Sequence, residues 1–303
     1  MSFFTSLLNA TPGAVAQGLV WGIMALGVYL TYRIMHIADL TVDGSIATGG
    51  AVCVMLIRAG INPIVAMLVT LAVGALAGLI TALLHTKCGI PDILAGILTQ
   101  LSLYSINLRI MGGKANQTVS VDKYNLLISQ RYVRAMNLTN PIPLLLLLIV
   151  ITIAAMYWFF GTEKGCSIRA TGTNPNMARA QGINTKNDII IGLMISNALV
   201  AFSGGLLAQY QGASDINMGR GAIVIGLAAV VIGEGVLKKI SGNFALRLLG
   251  VVIGAIIYYL VLQITLQLGL NTNDLKLISA MIVAAFLAVP YWTKKNAKGG
   301  KNA

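Results

Sequence analysis

The chain is dominated by apolar runs long enough to cross a lipid bilayer. A membrane-spanning helix needs about 20 apolar residues, and in lipid its backbone polar groups must be satisfied within the helix. Hydrophobic residues are 57% of the chain and charged residues 10%, against roughly 45–50% and about 25% in soluble domains. We therefore expect an all-α polytopic membrane protein with about nine helices, and between about eight and ten. The apolar segments fall near residues 12–32, 45–57, 62–84, 90–111, 142–160, 188–211, 221–237, 243–268 and 275–292.

Basic residues predict the orientation of these helices, because cytoplasmic loops carry an excess of Lys and Arg. If the polar loop 161–187 is cytoplasmic and nine spans alternate, the N-terminus is outside and the C-terminus inside. Residues 1–292 then form a single transmembrane domain with a long outer loop at 112–141, followed by a basic cytoplasmic tail at 293–303. This placement accounts for the net charge of +12 without a nucleic-acid partner. The inner positions are Arg33, Lys87, Lys164, Arg169, Arg179, Lys186, Lys238, Lys239 and the tail lysines.

The sequence contains no pattern typical of a catalytic or metal centre. Cys53, Cys88 and Cys166 share no close spacing, and neither a disulfide framework nor a zinc site is expected. There is no Walker A motif and no G-x-S-x-G or H-E-x-x-H motif. We therefore expect no metal, no cofactor and no enzymatic activity on this chain. If it moves solute with ATP, the nucleotide binds another subunit. The first ten residues hold no Lys or Arg, so a cleavable signal peptide is not expected.

Two of the apolar segments, 45–57 and 221–237, are short and contain glycine. Each follows a polar stretch that carries aspartate, 38–45 in the first case and 213–221 in the second. In the predicted topology the two short segments run in opposite directions. Paired short or interrupted spans of this kind indicate an inverted repeat with a path between its halves. In this interpretation, each of the two segments is either a short span or a re-entrant one.

Several polar residues lie within or beside apolar segments, where ionisable groups are costly and are candidates for function. Glu234 either contacts a translocation path or pairs with Lys238 at the membrane interface. Asp43 either lines that path or caps the helix that follows it. The full set of path candidates is Asp39, Asp43, Gln100, Asn107, Asn197 and Glu234.

The polar interruption at 161–184 contains a short helix with both ends marked. Asn174 is suited to cap its first turn, and Pro175 occupies the first helical position, where no N–H is needed. Gly182 suits a left-handed turn after its end. A helix of about two turns is marginal in water unless something holds it. The interruption is either such a docking element or an ordinary connector.

This loop resembles the coupling loop of ABC-importer permeases of the branched-chain amino acid, ribose and cobalamin group. The likeness extends to residues 18–28, 38–45, 94–99, 104–112 and 208–212, which resemble permeases paired with tryptophan- or tyrosine-type substrate-binding proteins. It implies a homodimer in the bacterial cell membrane, two cytosolic ATPase subunits and an extracytoplasmic binding protein. It also implies an amino acid as substrate, with aromatic ones among the candidates, and leaves small sugars, nucleosides and organic acids open. The ATPase-coupling residues implied are Arg169, Gly172, Asn174, Pro175, Met177, Ala178, Arg179, Gly182 and Ile183.

The outer loop carries four basic residues, which either form a surface that could bind an acidic binding protein or belong to a solvated loop. They are Lys114, Lys123, Arg131 and Arg134.

Two rival functions are also open. One rival is a secondary transporter driven by an ion gradient, with Glu234 or Asp43 as proton carrier. The other, a membrane-embedded enzyme, is disfavoured because no nucleophile–base or metal cluster is present.

Overall fold

A computed structural model describes residues 3–133, 140–237 and 243–268, and residues 277, 280, 281, 283–285 and 288. The tail lysines, Lys238, Lys239 and Arg134 lie outside these residues. The described part is almost entirely helical, which confirms the all-α membrane fold. Its elements are α1 (Phe3–Tyr29), a π-helix (Leu30–Met35), α2 (Val42–Arg58), α3 (Pro63–Thr86), α4 (Asp92–Ile110), β1 (Asn116–Thr118), a 3-10 turn (Gln130–Tyr132), α5 (Pro141–Gly161), α6 (Glu163–Thr173), α7 (Pro175–Ala180), α8 (Thr185–Gln211), β2 (Ala213–Asp215), α9 (Ala222–Val236) and α10 (Phe244–Gln267).

Within the described residues, 6 helices are long and apolar enough to cross a membrane. The two segments expected to be short are the 17-residue α2 and the 15-residue α9. Because 275–292 is described only in part, the total of about nine spans stays a prediction, as does the orientation.

Helices α1 and α8 form the centre of the bundle. Helix α8 packs on α1, α2 and α3 with backbones in contact. A Cβ on Gly204 would collide with the carbonyl oxygen of Ile46, and one on Gly49 with that of Ala201. Small residues allow this approach, which supplies dispersion contacts that lipid cannot replace. The high glycine content therefore has a direct structural use at the centre of the bundle.

The end of α1 is irregular. A π-helix continues it, and the N–H of Ile37 bonds to the carbonyl of Thr31 at 3.0 Å. His36 then adopts a left-handed conformation with φ 55°, which is uncommon for a residue with a side chain. The non-helical residues that follow, 36–41, bring Asp39 back to Asn197 near the middle of α8.

Helices α2 and α9 begin beside each other. The Asp43 carboxylate, in the first turn of α2, accepts hydrogen bonds from the backbone N–H groups of Gly221 at 2.9 Å and Ile223 at 3.0 Å. These amides belong to the start of α9, so Asp43 satisfies orphan donors of a distant helix. The alternative that Asp43 caps its own helix was wrong, because Thr41 occupies the N-cap position of α2 without a side-chain cap hydrogen bond, and the Asp43 carboxylate bonds to the amides of α9 instead. Two short helices that start at one point fit an inverted repeat, which stays a prediction.

The outer loop is partly folded. Strand β1 pairs antiparallel with β2, with Gln117 opposite Ser214. Val119 and Ile128 are each only 1% exposed, and the Leu127 N–H bonds to the Gln209 side chain at 2.9 Å. The loop therefore covers this end of the bundle with its buried apolar residues, while its charged and several of its polar side chains are exposed.

Candidate functional site

The predicted short helix is α7. The Asn174 side-chain oxygen accepts from the N–H groups of Asn176 and Met177, each at 3.1 Å, and Pro175 follows at the first position. Gly182 has φ +78°, the left-handed turn expected after the helix end. These two local signals predicted the stub correctly.

The interruption also contains a second helix, α6, which sequence reasoning missed. Thr162 caps it by accepting from the Gly165 N–H at 3.3 Å. Gly172 lies against the carbonyl of Ile34, where a Cβ would collide. Helix α6 is thus in backbone contact with the π-helix at the end of α1. Tertiary packing, rather than local propensity, holds this polar, glycine-containing helix.

Asp188 anchors α6 to α8 and was also missed. It lies in the first turn of α8, is 0% exposed, and accepts hydrogen bonds from the hydroxyls of Ser167 and, at 3.0 Å, Thr171. The Lys164 ammonium lies 3.7 Å from its other oxygen. The available signal was a carboxylate at the start of an apolar span, where an ionisable group needs a partner.

The stub presents a methionine to solvent. The Met177 side chain is 53% exposed, whereas Ala178 is fully buried against the rest of the chain. Arg179 bonds through Nε to the Thr185 hydroxyl at 3.1 Å, which ties the end of α7 to the start of α8. Arg169 turns back to α5, donating to the Phe160 carbonyl at 2.7 Å. Met177 is therefore an exposed apolar side chain on the stub, while Ala178 is the residue that packs the stub against its own chain.

The structure joins two of the predicted path residues in a buried polar cluster. Asp39 is 2% exposed and accepts from the Thr41 N–H at 2.9 Å and from Asn197 Nδ2 at 2.7 Å. Asn197 Oδ1 in turn accepts from the Ser45 hydroxyl at 2.6 Å. Each hydrogen bond offsets part of the cost of burying the carboxylate. The cluster fastens the return segment 36–41 and α2 to the middle of α8.

The other path candidates lie apart from this cluster. Gln100 is partly buried beside Gly44, and Asn107 is buried with its side-chain oxygen unbonded in the described residues. Glu234 forms an ion pair with Arg33, 2.7 Å between Nε and Oε1. Lys238, the partner considered from sequence, lies outside the described residues. Whether these groups line a path stays a prediction.

At the opposite end, Lys114 and Lys123 are exposed. Arg131 forms an ion pair with Asp122 at 2.6 Å, with both side chains more than half exposed. Among the residues described, no group of three His, Cys, Asp or Glu side chains is placed to hold a metal ion.

Comparisons with known proteins place the chain in a family. The family model described as "Branched-chain amino acid transport system / permease component" matches residues 12–288. A tyrosine transport system permease protein of Clostridioides difficile is 39% identical over 93% of this chain and 91% of its own length. The ribose import permease protein RbsC of Escherichia coli is 26% identical over 97% of this chain and 88% of its length.

A solved structure also matches, that of PsaBC from Streptococcus pneumoniae in complex with Fab. Its TM-score is 0.39 at 18% identity, over 87% of this chain and 91% of that chain. The family model covers nearly all of the membrane domain, so the identification depends on the family model and the sequence relatives. The chain is thus a multi-pass transport permease of the bacterial inner membrane and not itself an enzyme, and it belongs to the branched-chain amino acid transport system permease component family.

Proposed function

We propose that this permease is driven by a separate ATPase that docks on α7, and that it imports an aromatic amino acid. The observation that carries the coupling role is the capped stub with Met177 exposed on a base fixed by Asp188. A rigid base is required, because a push on α7 reaches the bundle only if α6, α7 and α8 move together. The other predicted coupling residues support the stub in three ways. Its two ends are set by Asn174, Pro175 and Gly182, its packing against the chain involves Gly172, Ala178 and Arg179, and the residues on either side of it include Arg169 and Ile183.

The contact of α6 with the π-helix connects movement of α7 to the rest of the bundle. Gly172 bears on Ile34, Arg33 of the same π-helix pairs with Glu234 of α9, and α9 starts on Asp43 of α2. Movement of the stub is thereby linked to both short helices. Single-turn π segments are frequent at functional sites, which supports a role for this one.

The coupling role is tested with Met177→Ala in the full chain co-expressed with its ATPase. Truncation of a central apolar contact typically costs about 2 kcal/mol or more, so we expect ATPase co-purification to weaken about thirtyfold. Met281→Ala is the matched control, because that methionine is 63% exposed elsewhere in the chain. Equal retention of the ATPase by both variants would place the contact elsewhere.

The substrate proposal is supported by the tyrosine permease, which covers nearly the whole chain. Uptake of labelled tyrosine, tryptophan and ribose into vesicles with the full complex tests it. Tyrosine or tryptophan uptake that requires ATP is the expected result. Uptake driven by a proton gradient without the ATPase would instead favour a secondary transporter.

We also propose a homodimer and an outer binding-protein partner. Neither Lys114 nor Lys123, which are both exposed, belongs to an ion pair among the described residues, so they are the stronger docking candidates. Arg131 is already paired with Asp122, and Arg134 lies outside the described residues. Replacing both lysines with Gln should slow binding-protein association and reduce its dependence on salt. An unchanged association rate would exclude this surface.

A further inference from the structure

We propose that an arginine-lined pocket at the α6 end of the bundle binds the phosphate of an anionic phospholipid headgroup. The pocket has a volume of about 420 Å³ and lies where the π-helix, α6 and the first turn of α10 converge. The assignment to a lipid depends on the proposed orientation, which puts this end at the cytoplasmic leaflet, but lipid binding itself does not require the ATPase.

Three arginines line this pocket: Arg33, Arg169 and Arg247. They come from three different elements, so the fold rather than the local sequence gathers them. None of the residues that line the pocket in the described chain is acidic. Glu234 pairs with Arg33 at its edge and offsets one of the three charges. With one charge offset, the pocket still carries more positive than negative charge, and arginine side chains suit the oxygens of a phosphate.

The pocket also has an aromatic wall. Tyr29 and Phe244 lie with their ring centroids 6.5 Å apart, and the Arg169 guanidinium stands 6.0 Å from the Phe244 ring centre. A neighbouring cavity of about 530 Å³ shares Arg169 and Phe244 and adds Tyr157. Arginine held beside aromatic rings is typical of the membrane interface, where an apolar body and a polar tip are both accommodated.

A lipid fits this site better than a soluble anion because its surroundings are apolar. Phe160 of α5 lines both the neighbouring cavity and an apolar cavity of about 390 Å³ that contains Trp158, a side chain that is 73% exposed. The arginine-lined cavities are therefore continuous with apolar surface on α5. Basic pockets between transmembrane helices on the cytoplasmic side recognise anionic headgroups. The headgroup phosphate would sit among the arginines while its acyl chains follow the exposed face of α5.

Native mass spectrometry of the full-length protein, with any subunits it retains, tests the proposal. Phosphatidylglycerol and phosphatidylcholine are titrated separately against the wild type and Arg169→Gln/Arg247→Gln. Each basic residue near an anionic surface contributes about a fivefold change in affinity, so the double variant should bind phosphatidylglycerol about thirtyfold more weakly. The matched control is Arg58→Gln/Arg109→Gln. It removes the same charge from the last turns of α2 and α4, at the end of the bundle opposite to the pocket.

The single variant Arg247→Gln, at an exposed position, is expected to weaken binding about fivefold if the double variant does not fold. Equal losses in the pocket and control variants, or equal binding of phosphatidylcholine, would overturn the proposal. The Tm is also measured in phosphatidylcholine nanodiscs with added inorganic phosphate or with added phosphatidylglycerol. If both raise the Tm equally, the pocket binds a soluble anion rather than a lipid. Lost ATPase binding with unchanged lipid binding would assign the arginines to carboxylates of the partner.

Discussion

Replacing Asp188 with alanine should loosen α6, and α7 after it, from the bundle. The carboxylate is fully buried and holds the hydroxyls of Ser167 and Thr171. Hydrogen bonds to a charged group contribute about 1.5–3 kcal/mol each. The Lys164 ammonium, 59% exposed, adds little because water screens it. With the lower figure for each of the two bonds, the loss is about 3 kcal/mol, concentrated in the contact between α6 and α8.

Hydrogen exchange measures this loss locally. A loss of about 3 kcal/mol corresponds to roughly 100-fold faster exchange of amides that exchange by local opening. We expect this acceleration in 163–187 and normal protection in α1 and α3. Asp188→Asn, which keeps an acceptor oxygen, should give a smaller change.

Glu163→Ala is the matched control, since it removes an exposed carboxylate from the first turn of α6. Normal protection of 163–187 in Asp188→Ala, together with normal ATPase binding, would refute the anchoring argument. Acceleration spread equally over the whole chain would also refute it, because the carboxylate would then stabilise the entire fold.

Other substitutions test the packing of the bundle. Gly204→Ala forces a Cβ into the Ile46 carbonyl and should lower the Tm strongly, whereas Gly235→Ala, with open space around it, should leave it unchanged. Asp43→Ala removes two hydrogen bonds from the start of α9. We expect the free energy of unfolding in denaturant to fall by about 3 kcal/mol, and a change near zero would contradict the capping of α9 by Asp43. Glu234→Gln breaks a partly exposed ion pair and should cost under about 1 kcal/mol, so a large loss of transport with normal Tm would indicate a functional group.

Local signals in the sequence predicted several features well. Long apolar runs gave the membrane class, and Asn174 and Gly182 gave both ends of α7. Glycine and length marked α2 and α9 as short. Each of these depends on interactions within a few residues of the signal.

The features that sequence reasoning missed depend on distant partners. Asp43 bonds to amides 178 residues further along the chain, and Arg33 pairs with Glu234 from another helix. Helix α6 has weak local propensity and is stable because Gly172 packs on the π-helix. The arginine pocket likewise unites three elements that no spacing in the sequence connects.

The separation between Asp43 and its partner amides has a consequence for how the protein is made. At about 5–20 residues per second, the ribosome needs roughly 10–35 s to synthesise the intervening chain. During that interval the carboxylate has no native partner, and an unpaired ionisable group is costly in lipid. We therefore expect α2 to reach its native packing only after α9 has been synthesised.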